Sequence, residues 1–284
     1  MTDAFIAAYA FAVGACIGSF LNVCVARWPV DRSVVRPRSR CPRCAAPIAW
    51  YDNVPIVSWL VLRARCRGCG LHISAQYPLV ELIVALGWLG AVLAFGPTFT
   101  ALRVAAFGTL MLGIAITDAK HYLIPDGFTV FGLVWVLATA MLEVFFSGNS
   151  PFATPYDAFV GACVGAGVIS IVGWLGEVVL KKEAMGFGDV TLMAVVGAAL
   201  GPARTFLTVL LGAMVGAIAF LAVVYPLVRR RGANGVQTEL ALGNGRPAMP
   251  QVPFGVFLAP AALLALLWGQ PLIDWYISRI LVSQ

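Results

Sequence analysis

Charge is scarce in this chain. Of its 284 residues, 11% are Asp, Glu, Lys or Arg and 61% are hydrophobic, and the mean hydropathy is +0.90. That balance excludes a soluble globular domain of this length and defines a polytopic membrane protein. No basic n-region precedes the first apolar run and no small-residue cleavage site follows it. The run is also long enough to span, so no cleavable signal peptide is expected. Internal repeats and low-complexity tracts are missing too, which argues against a repeat array or a disordered linker. The formal charge of +6 would suit a nucleic-acid partner. The basic residues, however, sit between apolar runs, where topology signals belong. The expected partner is the lipid bilayer, not nucleic acid.

What is abundant is apolar sequence in spanning lengths. Eight runs can cross a bilayer, at about 4–26, 79–96, 101–117, 127–146, 157–180, 189–201, 204–228 and 254–276. The sixth is short against the roughly 20 residues a full span needs. The expected fold is therefore an all-α polytopic membrane protein of about eight transmembrane helices, with one small cytoplasmic loop domain. With the N-terminus outside, the stretches 27–77, 118–126, 181–188 and 229–253 face the cytoplasm and hold 16 of the 19 basic residues. Arg103, Arg204 and Arg279 fall on the other side. The positive-inside rule decides for this orientation.

Seven cysteines divide into two kinds. Cys16, Cys24 and Cys163 lie in apolar runs and read as small hydrophobic filler. Cys41, Cys44, Cys66 and Cys69 form two C-x2-C pairs, 21 residues apart, in the one long polar stretch. A segment of that size cannot build a sufficient apolar core and needs a staple. The spacing predicts a four-thiolate zinc site, structural because four ligands leave no open position. A redox pair or free thiols are the other readings, and a cytoplasmic location disfavours a structural disulfide.

Two carboxylates stand at the cytoplasmic ends of membrane segments. Asp118 closes the run 101–117, and Asp189 closes Met185-Gly186-Phe187-Gly188-Asp189 just before another run. An acid at that depth is costly and needs a reason. The glycines, Gly186 and Gly188, permit a sharp bend and close approach of another chain beside the aspartate. Taken alone, Asp118 reads as a helix-end acid paired to Lys120, and Asp189 as a cap for the segment beginning at Val190. Asp126, before Gly127, reads as a helix cap. Together, two acids at one depth on separate helices point to catalysis or to proton relay. Close carboxylates cannot both ionise easily, so they share a proton and can activate a water against a peptide carbonyl. A proton-coupled transporter using the same two acids is the competing reading.

These motifs resemble those of the bacterial type IV prepilin peptidases, the prepilin leader peptidases/N-methyltransferases, which are aspartic membrane proteases of the GxGD type. Gly18-Ser19-Phe20-Leu21-Asn22-Val23, continuing to Arg27-Trp28-Pro29, is similar to the family's N-terminal signature. The paired C-x2-C, Asp52-Asn53-Val54-Pro55, Tyr77-Pro78-Leu79-Val80-Glu81 and Pro253-Phe254-Gly255 also match. The resemblance implies that Asp118 and Asp189 are the catalytic pair. It implies cleavage of leaders from prepilins or pseudopilins of type IV pili and type II secretion, at the cytoplasmic face of the inner membrane. It further implies methylation of the new N-terminus from S-adenosylmethionine. The chain would divide into an N-terminal module, 1–96, and a membrane-embedded peptidase domain, 97–284. No glycine-rich nucleotide loop is present, so methyl transfer rests on the resemblance. Asn22, Asn53 and Glu81 are its candidates by location, against readings as packing, turn and anchoring residues. Thr191 stands where many members carry Lys, which puts any role of that lysine in doubt but leaves the acids intact.

Overall fold

The structure is a computed structural model and describes residues 2–146, 150–181, 185–224, 226 and 253–281. The expected cytoplasmic stretch 229–253 lies outside the described residues except for Pro253.

Outside the 27–77 loop the described chain is mostly helical. The helices are α1 (Thr2–Arg27), the one-turn α2 (Val57–Val61), α3 (Gln76–Phe95), α4 (Phe99–His121), α5 (Asp126–Glu143), α6 (Pro155–Leu180), α7 (Phe187–Leu200), α8 (Pro202–Ala219) and α9 (Gly255–Tyr276). Among the described residues there is no strand, and two isolated antiparallel bridges occur in the 27–77 loop. Among the described residues seven helices are long and apolar enough to cross a membrane. The eighth, α7, has 14 residues. At 1.5 Å per residue it is about 21 Å long, short of a hydrocarbon core of about 30 Å.

Length and burial run in opposite directions. The long helices turn apolar side chains outward: Phe5, Leu93, Val134, Ile171 and Trp268 are each more than half exposed. In lipid such surface needs no cover. The short α7 is enclosed instead, with Leu192, Met193 and every residue from Val195 to Leu200 buried. Small residues permit this. A Cβ on Gly161 of α6 would overlap the carbonyl oxygen of Gly197 on α7, and a Cβ on Gly197 would overlap that of Gly161. Apolar side chains gain little by leaving lipid for protein, so close backbone packing of this kind holds membrane helices together.

Helix ends follow the local chemistry. Thr98 and Thr154 cap α4 and α6 by accepting the amides of Ala101 and Asp157, each at 3.3 Å. Gly201, at φ +78, separates α7 from α8. Helix α4 runs four residues beyond the apolar stretch and ends at His121, so Asp118 lies within its last turn. The expected cap at Asp126 is not formed. Pro125 occupies the N-cap position of α5 and no side-chain cap bond is made. Asp126 sits instead in the first turn, where the helix dipole favours an acid. On the face opposite Asp118, Arg103 is buried, paired with Glu143 and stacked 4.1 Å over the Phe152 ring. This pair neutralises a charge the membrane would otherwise penalise.

Candidate active site and metal centre

Five helix ends converge at one face: the last turns of α1 and α4 and the first turns of α5, α7 and α9. Asp118 is 5% exposed. Its Oδ2 accepts the backbone N–H of Val256 at 3.1 Å. The first N–H groups of any helix lack intrahelical partners and carry the positive end of its dipole. The start of α9 is therefore a ready site for a carboxylate. A Cβ on Gly255 would stand 2.9 Å from the same oxygen, so this close approach requires glycine.

Asp189 is the third residue of α7, and its N–H donates to the Gly186 carbonyl at 3.1 Å. It is half-buried and within electrostatic reach of Asp118. Among the described residues neither aspartate is in an ion pair. Lys120, the expected partner of Asp118, bonds Gln76 Oε1 instead.

The two acids are tied together by Ile124. After Tyr122, left-handed at φ 52, the turn from α4 to α5 buries Ile124. A Cβ on Gly188 would meet Ile124 Cβ at 2.9 Å, and a Cβ on Gly255 would meet its Cδ1 at 3.1 Å. One isoleucine thus fills the space beside both aspartate supports. The chain that approaches Gly188 closely is the protein's own, whereas Gly186 is exposed. Thr191 turns back to its own helix, donating to the Gly188 carbonyl at 3.0 Å.

The N-terminal helix reaches this turn as well. The Trp28 ring packs edge-on against Phe128, with centroids 4.4 Å apart. It also lies where a Cβ on Gly127 would stand, 2.6 Å away. Between them opens a groove of ≈ 490 Å³, lined by Trp28, Asp31, Arg32, Ile124 and Asp126 among others. The amides of α9, Ile124 and Trp28 were not marked as site residues by the sequence. The Pro253-Phe254-Gly255 motif signalled the first of them and Arg27-Trp28-Pro29 the last, each without a role.

In the loop, Cys41, Cys44, Cys66 and Cys69 place their four Sγ atoms within 4.8 Å of one another. Two similar hairpins do this. Ala45 N–H bonds the Cys41 carbonyl and Gly70 N–H bonds the Cys66 carbonyl, both at 2.9 Å. The residues that turn each hairpin, Ala45 and Gly70, have positive φ. Cys41 and Cys69 sulfurs are 3.7 Å apart, far beyond a disulfide bond of about 2.05 Å. Four thiolates at about 2.3 Å from one tetrahedral ion would have edges of about 3.8 Å. The cluster can therefore hold a metal ion. Backbone amides of Cys44 and Arg43 pull the Cys41 thiol down to about 6. At Cys69 the Leu71 amide favours the thiolate, but burial and the neighbouring thiols together push it up to about 11.

Two of the remaining N-terminal candidates, Asn22 and Glu81, fasten the loop region to the membrane helices. Asn22 Nδ2 donates to the Tyr77 carbonyl at 3.1 Å. Glu81 Oε2 accepts the Ile56 N–H at 2.7 Å. Asn53 is exposed at the end of a one-turn 3-10 helix.

Fold and site together define a polytopic helical membrane protein with two carboxylates near one another at one end and a four-thiol cluster in the adjoining loop. The family model for the bacterial peptidase A24 N-terminal domain matches residues 12–95, and that for the type IV leader peptidase family matches residues 105–221. The chain is 43% identical over 221 residues to the prepilin leader peptidase/N-methyltransferase of Myxococcus xanthus (strain DK1622), a match covering 76% of this chain and 64% of that relative. The enzyme of the same name from Aeromonas salmonicida (strain A449) is 33% identical over 93% of this chain and 91% of its own. That of Pseudomonas aeruginosa is 35% identical, over 94% and 91%. No solved structure matches the chain. The chain belongs to the type IV leader peptidase family.

Proposed function

We propose that the chain is a bifunctional prepilin leader peptidase and N-methyltransferase of the bacterial inner membrane. Asp118 and Asp189 form its aspartic peptidase site, open to the cytoplasm. The observation that carries the reading is the buried Asp118, fixed by the α9 amide of Val256 within electrostatic reach of Asp189. Family membership favours this over a proton-coupled transporter. The cytoplasmic placement is supported by the clustering of basic residues in the loops on that side.

The chemistry needs one proton shared by two carboxylates. The ionised acid takes a proton from water as the water oxygen attacks the peptide carbonyl carbon. The protonated acid hydrogen-bonds the carbonyl oxygen. When the intermediate collapses, the C–N bond breaks and a carboxyl proton passes to the leaving amine. Gly186, exposed beside Asp189, leaves room for an extended substrate backbone.

Zinc is the metal that four clustered thiolates suit best. Cys41, Cys44, Cys66 and Cys69 would hold it, and it would join the two hairpins without touching the carboxylates. The chain then works as two modules, 1–96 and 97–284, in contact along α3 and α4 as well as through Trp28 and the turn before α5. For S-adenosylmethionine the fit is not made. Asn22 Nδ2 and Glu81 Oε2 are engaged by Tyr77 and Ile56, and no residue is assigned to the methyl donor.

The test is direct. Purified protein is incubated with a synthetic prepilin and labelled S-adenosylmethionine, and the products are weighed by mass spectrometry. Leader removal with methylation of the new N-terminus is expected. An intact prepilin would overturn the peptidase.

A further inference from the structure

The cysteine-bearing loop exposes a concentrated apolar surface. Trp50, Tyr51, Val54, Val57, Leu60 and Val61 are each more than 40% exposed. Val57, Leu60 and Val61 stand at positions i, i+3 and i+4 of α2 and so share one face. Ser58 and Trp59 turn the other way: Ser58 is buried and donates to the Tyr51 carbonyl at 3.2 Å, and the half-buried Trp59 donates its Nε1–H to the Ile73 carbonyl at 3.0 Å. Helix α2 therefore anchors itself through Ser58 and Trp59 and leaves three apolar residues on its outer face, where a helix packed on a protein in water carries polar ones.

Hydrogen bonds fix the depth of this face. Lys120, at the end of α4, bonds Gln76, the first residue of α3, so those two residues lie at one level. Glu81 is five positions further along α3, about 7.5 Å deeper at 1.5 Å per residue. Its side chain leans back toward the start of the helix, as helical side chains do, and grips the Ile56 amide at 2.7 Å. Ile56 is the residue before α2. It is held at φ 63 and ψ −52, the centre of a γ-turn closed by Val57 N–H and the Pro55 carbonyl at 2.6 Å. Residue 56 is thus tied down at the level where α3 enters the membrane, and α2 leaves from that point.

The surface beyond is continuous with lipid-facing protein. Leu79, Leu82 and Ile83 of α3 are exposed, and Arg63 and Arg65 are exposed immediately after α2. An apolar face with aromatic residues beside it and arginines next to it is the pattern of a segment lying in the membrane interface.

We infer that residues 50–61 dock on the lipid surface of the membrane that carries the chain. Val57, Leu60 and Val61 enter the acyl boundary, Trp50 and Tyr51 lie among the headgroups, and Arg63 and Arg65 meet anionic phosphates. The metal-binding hairpins are then held against the bilayer instead of projecting from it. The inference is independent of the peptidase reading.

Photo-crosslinking tests it on the full chain in nanodiscs of phosphatidylethanolamine and phosphatidylglycerol. Leu60 is replaced by p-benzoylphenylalanine, and Leu86, half-exposed on α3, carries the same label as the reference for lipid contact. Metal content verifies that the loop remains folded. Phospholipid adducts at Leu60 with a yield comparable to that at Leu86 are expected, and the same at Val57 and Val61. Lipid adducts at Leu86 with none at the three α2 positions would overturn the inference. So would cross-links at α2 to prepilin or to a second copy of the chain in place of lipid.

Discussion

Asp118 on α4 and Val256 on α9, 138 positions apart, are joined by one hydrogen bond of 3.1 Å from the Val256 amide to the Asp118 carboxylate. A backbone donor has no rotamer to lose, and Gly255 beside it leaves no side chain in the way. The orientation of the acid is therefore set by the last membrane helix and not by its own helix alone.

Gly255→Ala should show this. Its Cβ would lie 2.9 Å from Asp118 Oδ2 and 3.1 Å from Ile124 Cδ1. Either α9 backs away or the carboxylate rotates. A displacement near 1 Å in a catalytic group can cost about 10²-fold. Leader cleavage should fall by about that factor while the protein accumulates normally in the membrane. Near wild-type turnover of Gly255→Ala would mean that the α9 amide does not position the acid.

The thiol cluster has its own test. Cys44→Ser should release metal and render the 27–77 loop sensitive to protease, since the loop lacks an apolar core of its own. Elemental analysis of the wild type should find one zinc per chain. A chain free of zinc, or a loop that stays resistant after chelation, would remove the structural role.

Beside the cluster, Arg67 donates to Asp52 through Nε at 2.8 Å and Nη2 at 2.6 Å. Those bonds and the arginine's charge hold the Asp52 carboxyl below its ordinary value of 3.8. A depressed carboxylate pKa contributes stability that is complete above the unfolded value and is lost as pH falls through the folded one. The pair is exposed, so its contribution is small. The loop of the wild type should resist protease slightly better than that of Asp52→Asn at pH 7, with the difference starting to shrink as the pH falls below 3.8 and gone once the pH has passed the lower value of the folded state. A difference that persists or grows in acid would contradict the ion pair.

Much of this was legible in the sequence, for reasons that also mark where legibility stops. Apolar runs announce spans because lipid imposes a length. The C-x2-C spacing announces a cluster because ligand geometry imposes it, and the two acids stand out because the membrane penalises charge. The enclosure of α7 was not visible, since its run reads like any lipid-facing one. It emerges from Gly161 and Gly197, which matter only as a pair. The Val256 donor is a backbone group with no signature of its own. Ile124 looks like an ordinary apolar residue until the fold puts it against Gly188 and Gly255, and Trp28, though part of a recognisable motif, shows its place only against Gly127. The cap expected at Asp126 failed because Pro125, extended at φ −67 and ψ 140, takes the N-cap position.

The paired carboxylates give the sharpest prediction. Asp118→Asn and Asp189→Asn each keep the size of the side chain, so the buried Asp118 site and the first turn of α7 should remain packed. An amide cannot take a proton from water or give one to the leaving amine. Positioned acid–base groups contribute about 10²–10⁴-fold each, and each variant should lose at least that much cleavage. In the proposed mechanism the two share one proton, so the losses should not add, and the double variant should be no worse than the weaker single one. Asp126→Asn should be far milder, since Asp126 is exposed and makes no cap bond. Cleavage is read by mass shift on protein whose amount and metal content match the wild type. Strong residual activity in either single variant would remove that aspartate from the mechanism. A dead Asp126→Asn beside an active Asp118→Asn would transfer the partnership with Asp189 to Asp126, across the turn that Ile124 anchors.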